Sequence, residues 1–339
     1  MQIKPKTEEP VEEPNVPTEV LEQQAAEGIQ AEFKEDPTLD EAPEQLEEGE
    51  IPEELLPAAN SVGVERKNSI QLSQPTDAML GEMNIQKSEN SDCKAMAIWW
   101  RGTAHVKAGT RCQDNAFCIG YDKEDPFYDK YVTNGNKIKV IMDGCGSCEY
   151  SLLGVLMLEE EFKRKAAEMK ISPDNLEDVI RESFAKMLLF DSNIKFILDN
   201  YLFTILICFE YEDRYEVCTC GDGYIVYCCN QQVFLKELEG TEVNAEGKVL
   251  PNYFAYDLEG VKGKLANYKN GTEFSLYTFE KGKFSNVGVA SDGLRFYSRL
   301  SDEDKMQLFG LIYYQLPIGL ERLLEKNKRF FLDDFSIAI

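Results

Sequence analysis

The sequence predicts an α+β fold in which helices cover the outer faces of antiparallel sheets. Short apolar, β-prone segments recur between residues 96 and 235 and again after residue 286. Blocks with helical spacing separate these strand segments. Because the apolar face of a sheet must be covered by another layer, alternating blocks of strands and helices favour this arrangement.

Each predicted strand is a short run that is rich in β-branched, aromatic or other apolar residues. The predicted strands are residues 96–100, 115–119, 137–142, 202–209, 215–220, 224–229, 233–235, 286–291 and 330–339. Residues 236–283 are instead rich in turn residues and have weak periodicity. We therefore expect an irregular insertion or flap there.

The helix predictions rest on apolar residues that recur three or four positions apart. A first helix is expected where four residues fit one apolar face: Tyr150, Leu153, Leu156 and Met157. A second helix is expected to begin at Ser172-Pro173, because a capping residue followed by proline favours a helix start. Helical patterns also fill residues 303–326.

The charge of the chain is strongly uneven. Its 339 residues carry a formal net charge of −25, and residues 1–93 hold 23 acidic against six basic residues. This segment also contains nine of the 13 prolines but one aromatic residue, Phe33. Such a composition cannot bury enough apolar surface to offset the loss of chain entropy. We expect a disordered acidic tail over residues 1–93 and a globular domain over residues 94–339.

The bulk properties argue against several classes of partner. A net charge of −25 disfavours binding to nucleic acid or to an anionic membrane. The sequence has no run of 18 apolar residues and no basic region followed by an apolar one at its start, so we expect a soluble, non-secreted protein. The ten cysteines are then expected to be reduced thiols in the cytoplasm. The tail is a solubilising or tethering arm, a substrate mimic or a docking segment for a basic partner; the sequence leaves these alternatives open.

Aspartates stand at or beside the ends of predicted strands. They are Asp114, Asp143, Asp222, Asp292 and Asp333. Three of them precede a glycine, and a single Asp-Gly pair is most simply a turn. Carboxylates that gather from separate strands, however, repel one another unless a cation lies between them. Mg²⁺ and Mn²⁺ favour such oxygen-only surroundings, and pairs of these ions recur in phosphoryl chemistry.

Five short motifs occur in order along the chain: QDNAF, VIMDGCGS, VCTCGDGYIVY, VGVASDGL and DDFSIAI. This series resembles that of the metal-dependent protein phosphatases of type 2C, especially their bacterial branch, and it spans residues 96–339. The resemblance implies a β-sandwich of two antiparallel sheets flanked by helices. It also implies hydrolysis of phosphoserine and phosphothreonine proteins by a metal-bridging hydroxide, with two Mn²⁺ or Mg²⁺ ions. A partner Ser/Thr kinase is a further expectation from the family.

The resemblance also implies a set of metal ligands. Asp143 is implied to bridge both ions, with the Gly144 carbonyl binding one of them. Asp292 and Asp333 are implied to hold the other ion. Asp222 matches a position that helps Asp292 to bind a third, weaker ion.

Two further positions concern water and phosphate. Gln113 and Asp114 match an acidic pair that anchors metal-bound waters, with an amide in place of one carboxylate. The family's phosphate-binding arginine falls at Gly109 here. Arg111 is the candidate substitute, since a guanidinium binds phosphate bidentately; the alternative is a solvated loop arginine.

The family's acid for the leaving group is the third departure. Where the family often has histidine, this chain has Cys145, and its sole histidine is His105. His105 is a candidate catalytic group or a structural residue. The departures leave two hypotheses, an active phosphatase and a pseudophosphatase that binds phosphoproteins without hydrolysing them.

Two weaker alternatives rest on other motifs. Cys145-x-x-Cys148 and Cys218-x-Cys220 together suggest a zinc site, although the spacing is not that of a standard zinc ribbon. Cys218 and Cys220 also alternate along a predicted strand and should share one face. The DGCGS segment before a helix resembles a nucleotide phosphate loop, but it lacks a lysine and the usual glycine spacing.

Overall fold

The computed structural model describes residues 69–71, 95–146, 148, 150–238, 242–243, 249–258 and 274–339. For residues 69–71, 242–243 and 249–250 it describes the backbone alone. The predicted acidic tail lies outside the described residues except for strand β1 (Ser69–Gln71), which pairs with the edge of a sheet of the domain.

The described strands form two antiparallel sheets and a short ribbon. The larger sheet contains β1, β2 (Ala97–Trp100), β7 (Gly223–Cys229), β8 (Gln232–Leu238), β12 (Asn286–Ala290) and β13 (Phe335–Ala338), in the order β1-β8-β7-β12-β13-β2. The second sheet contains β3 (Asn115–Ile119), β4 (Ile138–Met142), β5 (Ile205–Glu210), β6 (Arg214–Cys220) and β11 (Ser275–Glu280), in the order β11-β6-β5-β4-β3. The ribbon pairs β9 (Glu242–Val243) with β10 (Val249–Leu250).

The described helices fall into blocks between these strands. They are α1 (Thr103–Ala108), α2 (Tyr128–Thr133), α3 (Ser151–Glu168), α4 (Pro173–Met187), α5 (Ile194–Asn200), α6 (Asp302–Tyr313) and α7 (Pro317–Lys326), with 3-10 helices at Phe254–Asp257 and Asp292–Arg299. Helix α4 begins at the predicted proline, and the Ser172 N–H donates to Asn175 Oδ1 at 2.8 Å in a capping box. Helices α1, α2 and α5 were not predicted, because six or seven residues give too few turns for a periodic pattern.

The two sheets pack face to face and helices cover both outer faces, which confirms the predicted α+β sandwich. Between the sheets lies a core that includes Ile141, Leu206, Val217, Ile225 and Val289. A second core joins α3 and α4 to the outer face of one sheet and includes Val155, Phe162, Ile180, Phe184 and Ile207. A third core joins α6 and α7 to the other sheet and includes Val226, Leu235, Leu308, Ile312, Leu320 and Leu324.

Strand β7 shows why the strand segments read as unbroken apolar runs. Ile225 and Tyr227 point toward the other sheet, whereas Val226 and Cys228 point toward the helices. Because successive side chains of a strand alternate between its faces, a strand covered on both sides needs apolar residues at every position. All seven residues of β7 are buried.

The first long helix forms where it was predicted, but the face assigned to its apolar pattern was wrong. Tyr150, Leu153 and Leu156 are exposed, and of the four predicted residues Met157 alone packs, half-buried, against the core. Helix α3 buries instead a face that includes Ser151, Gly154, Val155, Leu158 and Phe162. Two of these residues are small, and a Cβ atom on Gly154 would lie 2.1 Å from the Asn200 carbonyl oxygen. Small residues thus let the helix approach its neighbours closely, a feature that apolar periodicity does not register.

The predicted flap over residues 236–283 is only partly irregular. Its end forms β11, which pairs along its whole length with β6 at the sheet edge. The strand was missed because most of its side chains are exposed, and Leu276 is one of them. Residues 239–241, 244–248 and 259–273 lie outside the described part of the chain.

Lys139 is a buried cation between the two sheets. Its Nζ donates to Asn286 Oδ1 at 2.7 Å and to the Val287 carbonyl at 2.8 Å, and Glu210 lies 3.9 Å away. These partners satisfy the charge, so the lysine joins β4 to β12 across the core.

Within the described chain, every helix is too short or too polar to span a bilayer.

Candidate active site

The five predicted aspartates lie at one edge of the sandwich. Asp143 directly follows β4, and Asp292 follows β12 by two residues, whereas the others precede strands: Asp114 before β3, Asp222 before β7 and Asp333 before β13. In an antiparallel sheet the end of one strand adjoins the start of its neighbour. Asn115 accordingly pairs with Met142, and Ala290 pairs with both Tyr224 and Ile337.

The carboxylates are close enough to perturb one another. Burial raises the pKa of Asp143 well above its usual range, and repulsion from the other four aspartates raises it further. Burial and repulsion by Asp333 raise the pKa of Asp292 to about 7. Burial raises the pKa of Asp222 to about 6. The structure thus brings together all five aspartates that the sequence placed at strand ends.

Arg295 contacts two of these aspartates and was missed by the sequence analysis. Its Nη1 lies 2.8 Å from Asp292 Oδ2, and its Nη2 lies 3.5 Å from Asp333 Oδ2. Asp292 is the first residue of the 3-10 helix Asp292–Arg299, in which side chains three apart lie directly above one another. The sequence feature that could have predicted this contact is a basic residue, Arg295, three positions after Asp292 in the ASDGL motif.

Asp334 is a second residue that the sequence analysis missed. Its Oδ1 accepts from the Gly102 N–H at 2.7 Å and its Oδ2 accepts from the Gln113 N–H at 2.6 Å. His105 Nδ1 lies 2.8 Å from the same Oδ2. Burial alone would lower the pKa of His105, but the bond to Asp334 and its charge raise that pKa. The histidine is therefore tied to the carboxylate that joins three segments of the site.

The segment before β13 is held in place by a glycine. A Cβ atom on Gly293 would lie 1.8 Å from the Asp334 carbonyl oxygen. Only a residue without a side chain admits this approach of two backbones. The glycine after Asp292 thus brings the 3-10 helix against the residues that carry Asp333 and Asp334.

The loop after β4 is fixed by the residues before β5. The Thr204 N–H donates to the Asp143 carbonyl at 2.8 Å, and the Cys145 N–H donates to the Leu202 carbonyl at 2.9 Å. Gly144 forms an isolated bridge with Phe203. This pairing places Asp143 and the Gly144 carbonyl at the edge of the sheet.

Two other predicted candidates lie apart from the carboxylates. Arg111 is exposed, and none of the ion pairs found in the described part of the chain involves it. Cys145 is buried in the core between α3 and its sheet. The residue that stands where the family often has histidine thus packs in the hydrophobic core.

The cysteines of the zinc alternative share a core but have separate partners. Cys218 and Cys220 do point to one face of β6, as predicted. Cys148 Sγ donates to the Leu198 carbonyl, and Cys220 Sγ donates to the Asn252 carbonyl, each at 3.1 Å. No cluster of three potential metal-binding side chains is found among the described residues, so the zinc alternative gains no support.

The aspartate cluster fits hard divalent cations by its chemistry, although among the described residues no three of its side chains converge closely enough to hold an ion as they stand. The donors are oxygens, which Mg²⁺ and Mn²⁺ prefer. Asp114 Oδ2 and Gln113 Oε1 are buried and find no hydrogen-bond donor among the described residues. Buried acceptors of this kind require an ion or an ordered water as partner. Because Arg295 holds Asp292 and Asp333, metal binding requires that these side chains rearrange.

Comparison with solved structures finds a similar fold in a bacterial serine phosphatase. This phosphatase is 11% identical with a TM-score of 0.50, and the match covers 73% of this chain and 96% of that one. The serine/threonine phosphatase Stp1 from Staphylococcus aureus is 11% identical with a TM-score of 0.47, covering 73% and 93%. The catalytic domain of the phosphatase PstP, solved with two manganese ions, is 12% identical with a TM-score of 0.43, covering 72% and 96%.

Comparison with protein families gives a more specific result. No curated protein matches the sequence. The family model described as Protein phosphatase 2C matches residues 101–316, which is more than half of the chain. The chain therefore belongs to the protein phosphatase 2C family, which confirms the family predicted from its motifs and, with it, the class of serine/threonine phosphatases.

Proposed function

We propose that this protein is a metal-dependent phosphatase that hydrolyses phosphoserine and phosphothreonine in other proteins directly, without a covalent intermediate. The observation that carries the proposal is the gathering of five aspartates from both sheets at one edge. Burial, together with repulsion by Asp333, raises the pKa of Asp292 to about 7. A fold that holds so much negative charge in one place is suited to binding cations.

The proposal gives each residue of the cluster a role. Asp143, the Gly144 carbonyl, Asp292 and Asp333 would hold two Mn²⁺ or Mg²⁺ ions, and Asp222 would help to hold a third. Bound ions would supply Lewis acidity, which acidifies water and neutralises charge on a phosphate ester.

Asp114 and Gln113 would hold and orient water through their buried, unsatisfied oxygens. Asp334 would keep the Gln113 backbone and the Asp333 segment in register, because it binds the N–H groups of both Gly102 and Gln113. We also propose phosphorylated proteins as substrates, a Ser/Thr kinase as the enzyme that supplies them, and the cytoplasm as the compartment. The nine described cysteines form no disulfide with one another, which supports a reducing compartment.

A pseudophosphatase that binds phosphoproteins is the second candidate, and specific observations favour it. Arg295 already forms ion pairs with Asp292 and Asp333, the two residues assigned to one ion. Arg111 is exposed and forms no ion pair with the aspartates in the described part of the chain, and Cys145 is packed in the core. A pseudophosphatase of this kind would retain the fold and bind phosphoproteins without hydrolysing them.

The test is hydrolysis of phosphoserine and phosphothreonine peptides by the metal-stripped full chain, with Mn²⁺, Mg²⁺ or EDTA added. Asp143→Asn is the test variant, and Asp178→Asn, an exposed aspartate of α4, is the matched control. We expect metal-dependent turnover that Asp143→Asn loses and Asp178→Asn keeps. Binding of phosphopeptide without turnover in any metal would instead establish the pseudophosphatase.

A further inference from the structure

Arg295 is a cation inside a cluster built to attract cations. Of the ion pairs in the described part of the chain, those of Arg295 alone reach the five clustered aspartates. Its guanidinium joins Asp292, which follows β12, to Asp333, which precedes β13. It thus bridges two segments that the proposed function assigns to one metal ion.

The local geometry explains why the arginine lies there. Asp292 and Arg295 stand one 3-10 turn apart, so their side chains share one side of the helix. The guanidinium also lies 5.2 Å from the ring centre of Phe296. The Arg295 side chain is 38% exposed, which leaves it a path into solvent. The contact is therefore built into the helix but is not locked in the core.

A guanidinium and a divalent ion cannot both occupy this place. The guanidinium lies against the Oδ2 atoms of Asp292 and Asp333, and an ion bound to these carboxylates would lie a few ångströms from that like charge. Repulsion at that distance is strong in a partly buried site, where solvent screens little. Either Arg295 leaves the carboxylates or the ion does not bind.

We propose that Arg295 is a built-in counter-ion of the aspartate cluster, and that a divalent cation must displace it from Asp292 and Asp333 in order to bind. This inference rests on the proposed function, since it concerns the same metal site. It makes the metal affinity of the protein a property of Arg295 as well as of the aspartates. Arg295 stabilises the metal-free protein, and metal binding breaks its ion pairs with Asp292 and Asp333.

The experiment is calorimetric titration of Mn²⁺ into the metal-stripped full chain. The test variant is Arg295→Gln, which removes the charge but keeps a long polar side chain. The control is Arg299→Gln, because Arg299 lies on the same 3-10 helix and stacks on the same Phe296 ring at 5.1 Å, yet is exposed. Arg295→Lys, which keeps the charge but loses the planar fork, is the conservative variant.

We expect Arg295→Gln to bind Mn²⁺ at least about tenfold more tightly than wild type, since one competing charge is removed. Arg299→Gln should stay within about twofold, and Arg295→Lys should lie between the two. In EDTA, Arg295→Gln should melt a few degrees below wild type because the aspartates lose their counter-ion. The Arg299→Gln melting temperature should not change.

The outcomes separate this inference from the proposed function. Equal or weaker Mn²⁺ binding by Arg295→Gln, with wild type binding normally, would overturn the displacement of Arg295 and leave the metal-dependent phosphatase standing. Binding by Arg295→Gln but not by wild type would support the inference and explain an inactive wild type. Absence of binding in both proteins would overturn both proposals.

Discussion

Replacing Asp292 by asparagine should stabilise the metal-free protein and weaken its stabilisation by metal. Asp292 lies in a cluster of five carboxylates with one cationic neighbour, so its ionised form is disfavoured in the folded state. Asparagine keeps the size of the side chain and removes the charge. The stabilisation should therefore grow with pH, as the wild-type carboxyl loses its proton.

The magnitude follows from the pKa shift. Asp292 has a pKa of about 7 in the folded protein, against 3.8 for an ordinary aspartate, because of burial and repulsion by Asp333. Each pKa unit corresponds to about 1.4 kcal/mol. At pH 8 the folded protein therefore loses about 4 kcal/mol by ionising Asp292, and at pH 5 it loses about 2 kcal/mol by keeping the proton that the unfolded chain releases. Since the folded pKa is raised, this loss is absent below pH 3.8 and is complete above pH 7.

The assay is urea unfolding of wild type and Asp292→Asn in EDTA at pH 5 and pH 8. We expect Asp292→Asn to be the more stable protein by about 2 kcal/mol at pH 5 and by about 4 kcal/mol at pH 8. Asp178→Asn, at an exposed site, should leave the free energy of unfolding unchanged at both pH values. With Mn²⁺ at 100 times its Kd, wild type should gain about 2.7 kcal/mol, and Asp292→Asn should gain much less. An Asp292→Asn protein that is no more stable than wild type at pH 8 in EDTA would refute the reasoning.

Three other predictions concern the parts that support the cluster. Lys139→Met should lower the free energy of unfolding by about 3 kcal/mol in the same urea titration, because two buried acceptors lose their donor. Lys281→Met, near the surface, should lower it far less. Gly293→Ala should lower the melting temperature and weaken Mn²⁺ binding, since its methyl group would lie 1.8 Å from a backbone oxygen. Gly282→Ala, with open space around it, is the control. Equal melting curves for the two variants would contradict the packing argument. His105→Gln should destabilise the metal-free protein more at pH 6 than at pH 9. Because the pKa of His105 is raised in the folded protein, its contribution to stability is complete below the ordinary value of 6.5 and is lost as pH rises through the folded value. Thermal unfolding at the two pH values checks this.

Strand positions could be predicted closely because a strand that is buried on both faces has an unbroken run of apolar residues in its sequence. Residues 115–119 were predicted as a strand and form β3 with the same bounds. The same logic failed for β11, whose outer position leaves most of its side chains in solvent and its sequence without an apolar run. It also failed for the buried face of α3, where Ser151 and Gly154 permit close packing that hydrophobicity does not report.

The site shows a similar division. The aspartates were predictable because each stands beside a strand end, and antiparallel pairing brings such ends to common edges. The contacts of Arg295 and Asp334 could not be predicted, because they depend on local and long-range geometry that the sequence does not display. The Arg295 contact depends on the tight turn of a 3-10 helix, and Asp334 binds N–H groups that lie 221 and 232 positions away in the chain.

The place of β13 in its sheet has a consequence for how the protein folds. This strand lies between β12 and β2, and it is the last strand described along the chain while β2 is the first of the domain. The Met96 N–H donates to the Ile339 carbonyl at 2.7 Å, so closing the sheet joins residues from opposite ends of the domain. Such long-range pairing is slow. As a ribosome makes the chain, the larger sheet would stay open and Asp333 absent until β13 emerges, so the aspartate cluster would be completed in the same step that closes the sheet.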